Sequence, residues 1–424
     1  MIYLFVFNVL LYFFIQVLNV RYISSFFKSE TFGKFNPFII IFIFKLPVEI
    51  FKVVIGPPLL LEDGVDNIYY NIAIFYSTLG LLVEFLLLKF AFFISSKYTL
   101  KLESFNIFPR NDKMIVASIM FYILFFISFY ILSSTSFGFI NWINDPRTGY
   151  QLHRVGVGPF WVFSITFLSI SFTLSALYIK KHTSLFILLI FYVYSAFLLG
   201  SKGLVLEYLI FFLIVLWLRK YSKIKKVFFY IIPLTFLVML INFFSNLDSS
   251  IEFSSIFSYF DYYVNSAMYY KAYYSGEINL FYGQIFISDF WSLLPRGLFP
   301  NKPYVYGITH VNEFFFPGAA EATNTPAFGG PVNYFADFGL VGVVVMTFFS
   351  PLKFLYYFFL YQLLKKFKVD YIKGNLYVLL LFMFFISPFF LFSLLFPLNI
   401  IFFLFLSYIL LFINKFKFYS ENHY

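Results

Sequence analysis

Cysteine is absent from this 424-residue chain. No disulfide staples an outer loop, no thiolate metal site exists, and the redox compartment cannot be read. Charge is nearly as scarce. Only 12% of residues are Asp, Glu, Lys or Arg, against about a quarter in a soluble domain. That excludes a water-soluble protein folded around one aqueous core. With four histidines, none of them clustered, zinc chemistry is not indicated. No glycine-rich nucleotide loop and no nucleic-acid-binding motif occurs. What the chain has instead is apolar surface: 61% of residues are hydrophobic and the mean hydropathy is +0.85.

A bilayer crossing needs about 20 mainly apolar residues. On that measure the sequence predicts an all-α integral membrane protein, one polytopic domain over 1–424. Its eleven transmembrane helices fall near 1–20, 37–55, 68–94, 114–133, 159–178, 184–199, 204–218, 227–244, 338–360, 375–393 and 396–413. Residues 1–20 lack a basic leader and a small-residue cleavage site, so they read as a retained span. Orientation follows from Lys and Arg. Alternate connections (21–36, 95–113, 179–183, 219–226, 361–374 and 414–424) hold 20 of the 30 basic residues. The opposite connections are longer in total yet hold 6. The first set is placed in the cytoplasm, with "RKYSKIKK" at 219–226 as its strongest anchor. The N-terminus is then outside, the C-terminus inside, and the net charge of +10 reports orientation.

Two outer loops stand out, 134–158 and 245–337. A connection as long as the second is uncommon unless it is functional. The outer face carries Arg147, Arg154, Lys202, Lys271, Arg296 and Lys302. Lys271 is read as a headgroup or local ion-pair contact. Arg147 and Arg154 sit in "DPRTGYQLHRVGVGPFW", and Arg296 and Lys302 in "PRGLFPNKP". Glycine lets backbone amides approach an anion, and arginine offers a planar fork to phosphate oxygens. Two loops built to one recipe point to two walls of one anion site. Lys202, bracketed by Gly200 and Gly203, is expected in a tight turn or a broken, re-entrant hairpin.

These loops resemble the O-antigen polymerases (Wzy-type oligosaccharide repeat unit polymerases), which show an Arg-x10-Gly pattern in two periplasmic loops. Here Arg147 pairs with Gly158 and Arg296 with Gly307 at that spacing. The "LLPRGLFPNKP" string and the Gly-Pro to Phe-Gly-Leu-Val-Gly run at 330–342 look like the family too. The resemblance implies a GT-C-like glycosyltransferase of the bacterial cytoplasmic membrane (EC 2.4 type). It would act on the periplasmic face, without a cofactor, and join undecaprenyl-diphosphate-linked repeat units into O-antigen or capsule. Membrane lipids, a chain-length regulator and a flippase are the implied partners. Nucleic acid is not among them.

In that chemistry Arg147, Arg154, Lys202, Arg296 and Lys302 would hold diphosphate oxygens, and preorganised cations favour departure of the diphosphate. Gly158 and Gly307 would shape the loops. A base must take the acceptor's proton. The outer candidates are His153, Asp289, His310, Glu313, Glu321 and Asp337, with His310 and Glu313 favoured by their nearness to Arg296. Asp63 and Asp66 in "LEDGVDN" offer hard oxygen ligands to a divalent ion, a minor alternative to a metal-free site. Lys45, Glu49 and Lys52 share one helix face in the second span, suiting an ion pair, a headgroup site or a transport path. Two other functions fit the same architecture: an O-antigen ligase or other GT-C transferase, and a lipid-linked oligosaccharide flippase.

Overall fold

The computed structural model describes residues 2–26, 37–63, 66–96, 111–153, 157–179, 181–200, 202–218, 261–294, 299–321 and 326–347. Among them all regular structure is helical. The chain divides into two compact units. The first holds α1 (Ile2–Phe26), α2 (Pro37–Val54), α3 (Gly56–Asp63) and α4 (Asn67–Ser96). It also holds four helices from later in the chain: α11 (Tyr262–Tyr274), α12 (Gln284–Ser288), α13 (Thr309–Phe315) and α14 (Val332–Thr347). The second holds α5 (Asn111–Ser136), α6 (Phe139–Asn144), α7 (Pro146–Leu152), α8 (Gly158–Tyr178), α9 (His182–Leu198) and α10 (Lys202–Leu218).

Four described helices are long and apolar enough to cross a membrane: Tyr3–Ser25, Asn67–Phe90, Ile115–Ser136 and Gly158–Ala176. Their composition explains why. On α5, Ile119, Ile123 and Ile127 recur every fourth residue and are each more than half exposed. An apolar stripe that no protein covers is at home in lipid. The expected spans at 1–20, 37–55, 68–94, 114–133, 159–178, 184–199 and 204–218 fall on α1, α2, α4, α5, α8, α9 and α10. Those at 227–244, 375–393 and 396–413, and the basic run 219–226, lie outside the described residues.

Of the expected span 338–360, residues 338–347 lie on α14, which begins at Val332, and 348–360 lie outside the described residues. The helix is broken. Gly339 has φ 63 and ψ −149, a conformation open to glycine and strained for other residues. Gly342 then lies against the Tyr334 carbonyl. The Phe-Gly-Leu-Val-Gly run is therefore a kink. The described residues of 245–337, the connection expected to be a long outer loop, include α11, α12 and α13.

Helix packing in the second unit rests on small polar residues. The Ser118 hydroxyl donates to the Ser171 carbonyl and the Ser171 hydroxyl to the Ser118 carbonyl, each at 2.7 Å. The Tyr192 hydroxyl joins Ser171 at 2.7 Å. Serine lets α5 and α8 approach closely in lipid, where apolar contact alone gives little association. Ser118→Leu removes the exchange and inserts volume into a buried seam. The expected cost is about 1–3 kcal/mol, read as a lower thermal midpoint of the detergent-solubilised protein.

In the first unit α11 lies on α4 through aromatic rings. Tyr76 stacks on Phe335 with centroids 5.2 Å apart and meets Tyr270 edge-on at the same separation. The Tyr76 and Tyr274 hydroxyls bond to each other. The α2 charges form a local pair, with Lys52 Nζ 3.1 Å from Glu49 Oε1. Tyr12 donates to Glu49 Oε2 at 3.2 Å and Tyr263 donates to Tyr12 at 3.1 Å. Lys52 Nζ sits 4.4 Å from the centre of the Tyr262 ring. Both charges are thus partnered within the first unit. The Lys45 side chain lies outside the described residues.

Candidate functional site

In the second unit, Arg147 sits on α7 beside the α9–α10 turn. Helix α9 ends at Leu198, and its last carbonyls have no partner within the helix. Three side chains from earlier in the chain supply one. The Trp142 indole donates to the Leu198 carbonyl at 2.8 Å and the Trp161 indole to the Leu199 carbonyl at 3.2 Å. Arg147 Nη1 donates to the Gly200 carbonyl at 3.5 Å. A cation at a helix C-terminus also complements the helix dipole. The turn needs Gly200, whose φ is +72 and whose Cα faces the Pro146 carbonyl and Tyr150. Trp142, fully buried, lies against Gly149.

Arg147 is not used up by this contact. Guanidinium carries five N–H donors. One long bond is to Gly200, the plane lies 5.6 Å from the Tyr150 ring centre, and Nε is buried with no partner. Two residues beyond Gly200, Lys202 opens α10; only its backbone is described. The fold therefore joins the first Arg loop to the end of the α9 turn by a side-chain-to-backbone bond. Upstream, Asp145 caps α7 by accepting from the Thr148 amide at 3.1 Å, and Thr148 holds its carboxyl below the usual range. His153 stacks on Phe137 at 4.2 Å. Arg154 lies outside the described residues. Gly158 is the first residue of α8, and a side chain there would meet nothing within 4 Å.

The second Arg loop belongs to the first unit. Arg296 itself lies outside the described residues, but its frame does not. Lys302 turns inward and is 8% exposed. Its ammonium donates to the Leu294 carbonyl at 3.0 Å and sits 4.4 Å from the Tyr306 ring centre. It thus ties the residues on either side of 295–298. Gly307 has φ +58, and a Cβ there would fall 2.7 Å from Asp289 Oδ1. The Gly307 amide donates to Ser288 Oγ at 2.8 Å. The glycine of this motif therefore has a steric reason that Gly158 lacks.

The candidate bases separate by what they already hold. Asp337 is 2% exposed and accepts from three amides: Gly283 at 3.0 Å, Ile285 at 3.0 Å and Phe286 at 2.7 Å. Its side chain ties down the amides at the start of α12, so it is committed to holding the backbone there and is the less suited base. Glu321 and Asp289 are exposed. Glu313 accepts from the Gly318 amide at 3.0 Å through Oε1, while Oε2 is buried without a partner. His310 lies 6.0 Å from the Phe281 ring centre. Burial lowers its pKa and the Asp337 charge opposes that only in part, so it is neutral at pH 7. On the minor metal alternative, Asp66 is 3.5 Å from Lys271, and the Asp63 side chain lies outside the described residues.

His310 supplies a pH test. Its folded pKa is below the unfolded value of about 6.5, so the unfolded chain binds the extra proton first. The stabilisation it contributes is complete above that value and is lost as pH falls towards the folded pKa. The thermal midpoint is expected to drop on acidification below about 6.5, and His310→Gln to flatten that drop.

Four described helices long and apolar enough to cross a bilayer mark a multi-pass helical membrane protein. Comparison with known proteins narrows this. The chain is 28% identical over 257 residues to the O-antigen polymerases of Salmonella typhimurium and of Salmonella typhi. Each match covers 59% of this chain and 61% of the relative. The chain thus spans about three fifths of the length of these curated relatives. The similarity bears out the resemblance carried by the two Arg loops. No family model matches the chain, and no solved structure does.

Proposed function

We propose that this protein is an O-antigen polymerase. It joins oligosaccharide repeat units carried on undecaprenyl diphosphate, on the outer face of the bacterial cytoplasmic membrane. The similarity to two O-antigen polymerases carries this reading. The protein is then a glycosyltransferase with about eleven spans in a GT-C-like arrangement, its N-terminus outside and its C-terminus in the cytoplasm. A flippase delivers its substrate and a chain-length regulator acts on its product.

In the reaction a hydroxyl of the acceptor sugar attacks the donor's anomeric carbon. A new C–O bond forms, the bond to the diphosphate breaks, and the hydroxyl proton passes to a base. Negative charge grows on the departing undecaprenyl diphosphate, where fixed cations act most strongly. Arg296 is assigned to that group, in a loop that Lys302 and Gly307 shape. Glu313 is assigned as base, because one of its oxygens makes no hydrogen bond. Neutral His310 is the other acceptor in that segment. Both substrates carry a diphosphate, so Arg147, whose Nε has no partner, is assigned to the second anion.

The test is direct. Purified protein in vesicles, given a synthetic undecaprenyl-diphosphate-linked repeat unit, is expected to yield products of two and more repeats and to release undecaprenyl diphosphate. Products that never exceed one repeat would sink the reading.

A further inference from the structure

We propose that the segment from Tyr282 to Phe290 is a re-entrant foot, seated in the acyl region of the bilayer that α4 crosses. Its occupant is lipid, and the inference stands on the membrane architecture alone, whatever reaction the protein catalyses.

The first observation is exposure. Tyr282, Phe286, Ile287 and Phe290 are 79%, 46%, 73% and 58% exposed. These four large apolar side chains dominate a short element whose exposed polar residues are Gln284 and Asp289, the latter turned back against Gly307, and such a patch is one that water does not favour.

The second is depth. The apolar window of α4 runs from Asn67 to Phe90. Within it Tyr76 stacks on Phe335, Ser77 lies against Gly330, and a Cβ on Gly80 would lie 3.8 Å from Val343. So α14 lies beside the middle of this window. The foot is fixed to that same stretch: Asp337 holds its amides, and a Cβ on Gly283 would lie 3.3 Å from Phe338. At 1.5 Å per residue, Tyr76 is about 14 Å along α4 from Asn67. The foot therefore sits alongside the span rather than beyond its end. Its exposed face continues that of Phe338, Leu340 and Val341, all exposed on α14.

The third is hydrogen bonding. Irregular backbone at membrane depth must satisfy its polar groups within the protein. Here seven consecutive amides do so. Phe281 N donates to the Ala336 carbonyl, Tyr282 N to the Asp337 carbonyl, Gln284 N to the Phe281 carbonyl and Ile287 N to the Gly283 carbonyl. Gly283, Ile285 and Phe286 donate to the Asp337 carboxylate. A water-exposed turn has no need of such completeness. The turn also holds Tyr282 at φ 49, a costly conformation for a bulky residue, and that places its ring outward.

Ser288, on the far end of the foot, accepts the Gly307 amide, so the foot is held at that end as well.

The chain has no cysteine, so single-cysteine variants of the full protein need no background removal. Ile287→Cys and Phe290→Cys would carry a nitroxide in phosphatidylethanolamine–phosphatidylglycerol vesicles. Leu86→Cys, on the exposed face of α4, serves as the lipid reference, and Glu277→Cys, on an exposed turn, as the water reference. Power saturation with oxygen and with a nickel chelate reads the environment. The labels at 287 and 290 are expected to favour oxygen over nickel, as the label at 86 does. Nickel accessibility like that at 277 would overturn the proposal. So would low collision with both reagents, which would mean that protein covers the patch. Should Ile287→Cys fail to fold, Phe286→Cys and Phe290→Cys decide on the same readout.

Discussion

Asp337→Ala is expected to destabilise the first unit strongly. The carboxylate is buried and accepts three backbone amides across some fifty residues of sequence. Removing it leaves three donors without partners, two of them buried. Each orphaned group costs about 1–3 kcal/mol, so a loss of about 3 kcal/mol or more is expected. It would appear as a large fall in thermal midpoint, or as aggregation on size exclusion. Asp337→Asn keeps one acceptor oxygen and should fall between wild type and alanine. If Asp337→Ala melts like wild type, the cap does not hold α12. The prediction also separates Asp337 from the bases: its loss should lower the amount of folded protein before it lowers the rate per folded molecule.

Gly200→Ala is the second. At φ +72 an alanine pays the left-handed penalty of about 1–2 kcal/mol, and its Cβ enters the space of the Pro146 carbonyl and Tyr150. The turn must move, and with it the carbonyls held by Trp142, Trp161 and Arg147. A total of about 2–4 kcal/mol is expected, the second part coming from buried carbonyls that lose their donors. A double-mutant cycle with Trp142→Phe tells a distorted turn from a local clash. If the turn is one clamp, the double variant is less destabilised than the two singles together. Full additivity would mean that the three donors act separately.

The two arginine loops show where reading the sequence succeeds and where it stops. Apolar length is a property of each segment alone, so α1, α4, α5 and α8 were legible as spans. The Lys-Pro and Arg-Gly composition marked two loops as unusual, and in one of them Gly307 does sit at a positive φ against Asp289. Composition cannot say which way a side chain turns. Lys302, expected to face an anion, points inward to Leu294 and Tyr306. Asp337, expected among the bases, is a cap because its partners lie some fifty residues earlier. The tryptophan clamp escaped notice for the same reason: Trp142 and Leu198 are 56 residues apart. One local signal was available for the break in α14. Two glycines three apart in Phe-Gly-Leu-Val-Gly mark a place where backbones kink or approach closely, although the run was read only as a likeness to a family.

The central claim is that this protein polymerises lipid-linked repeat units. The most direct measurement is a lipopolysaccharide gel from the source strain lacking the gene, complemented with wild type or with Arg296→Ala. The deletion is expected to leave lipid A core bearing a single repeat. Wild type should restore the ladder, and Arg296→Ala should not, although it is present in the membrane at the same level. A core with no repeat at all would point to ligation or flipping instead. A full ladder without the gene would contradict the account.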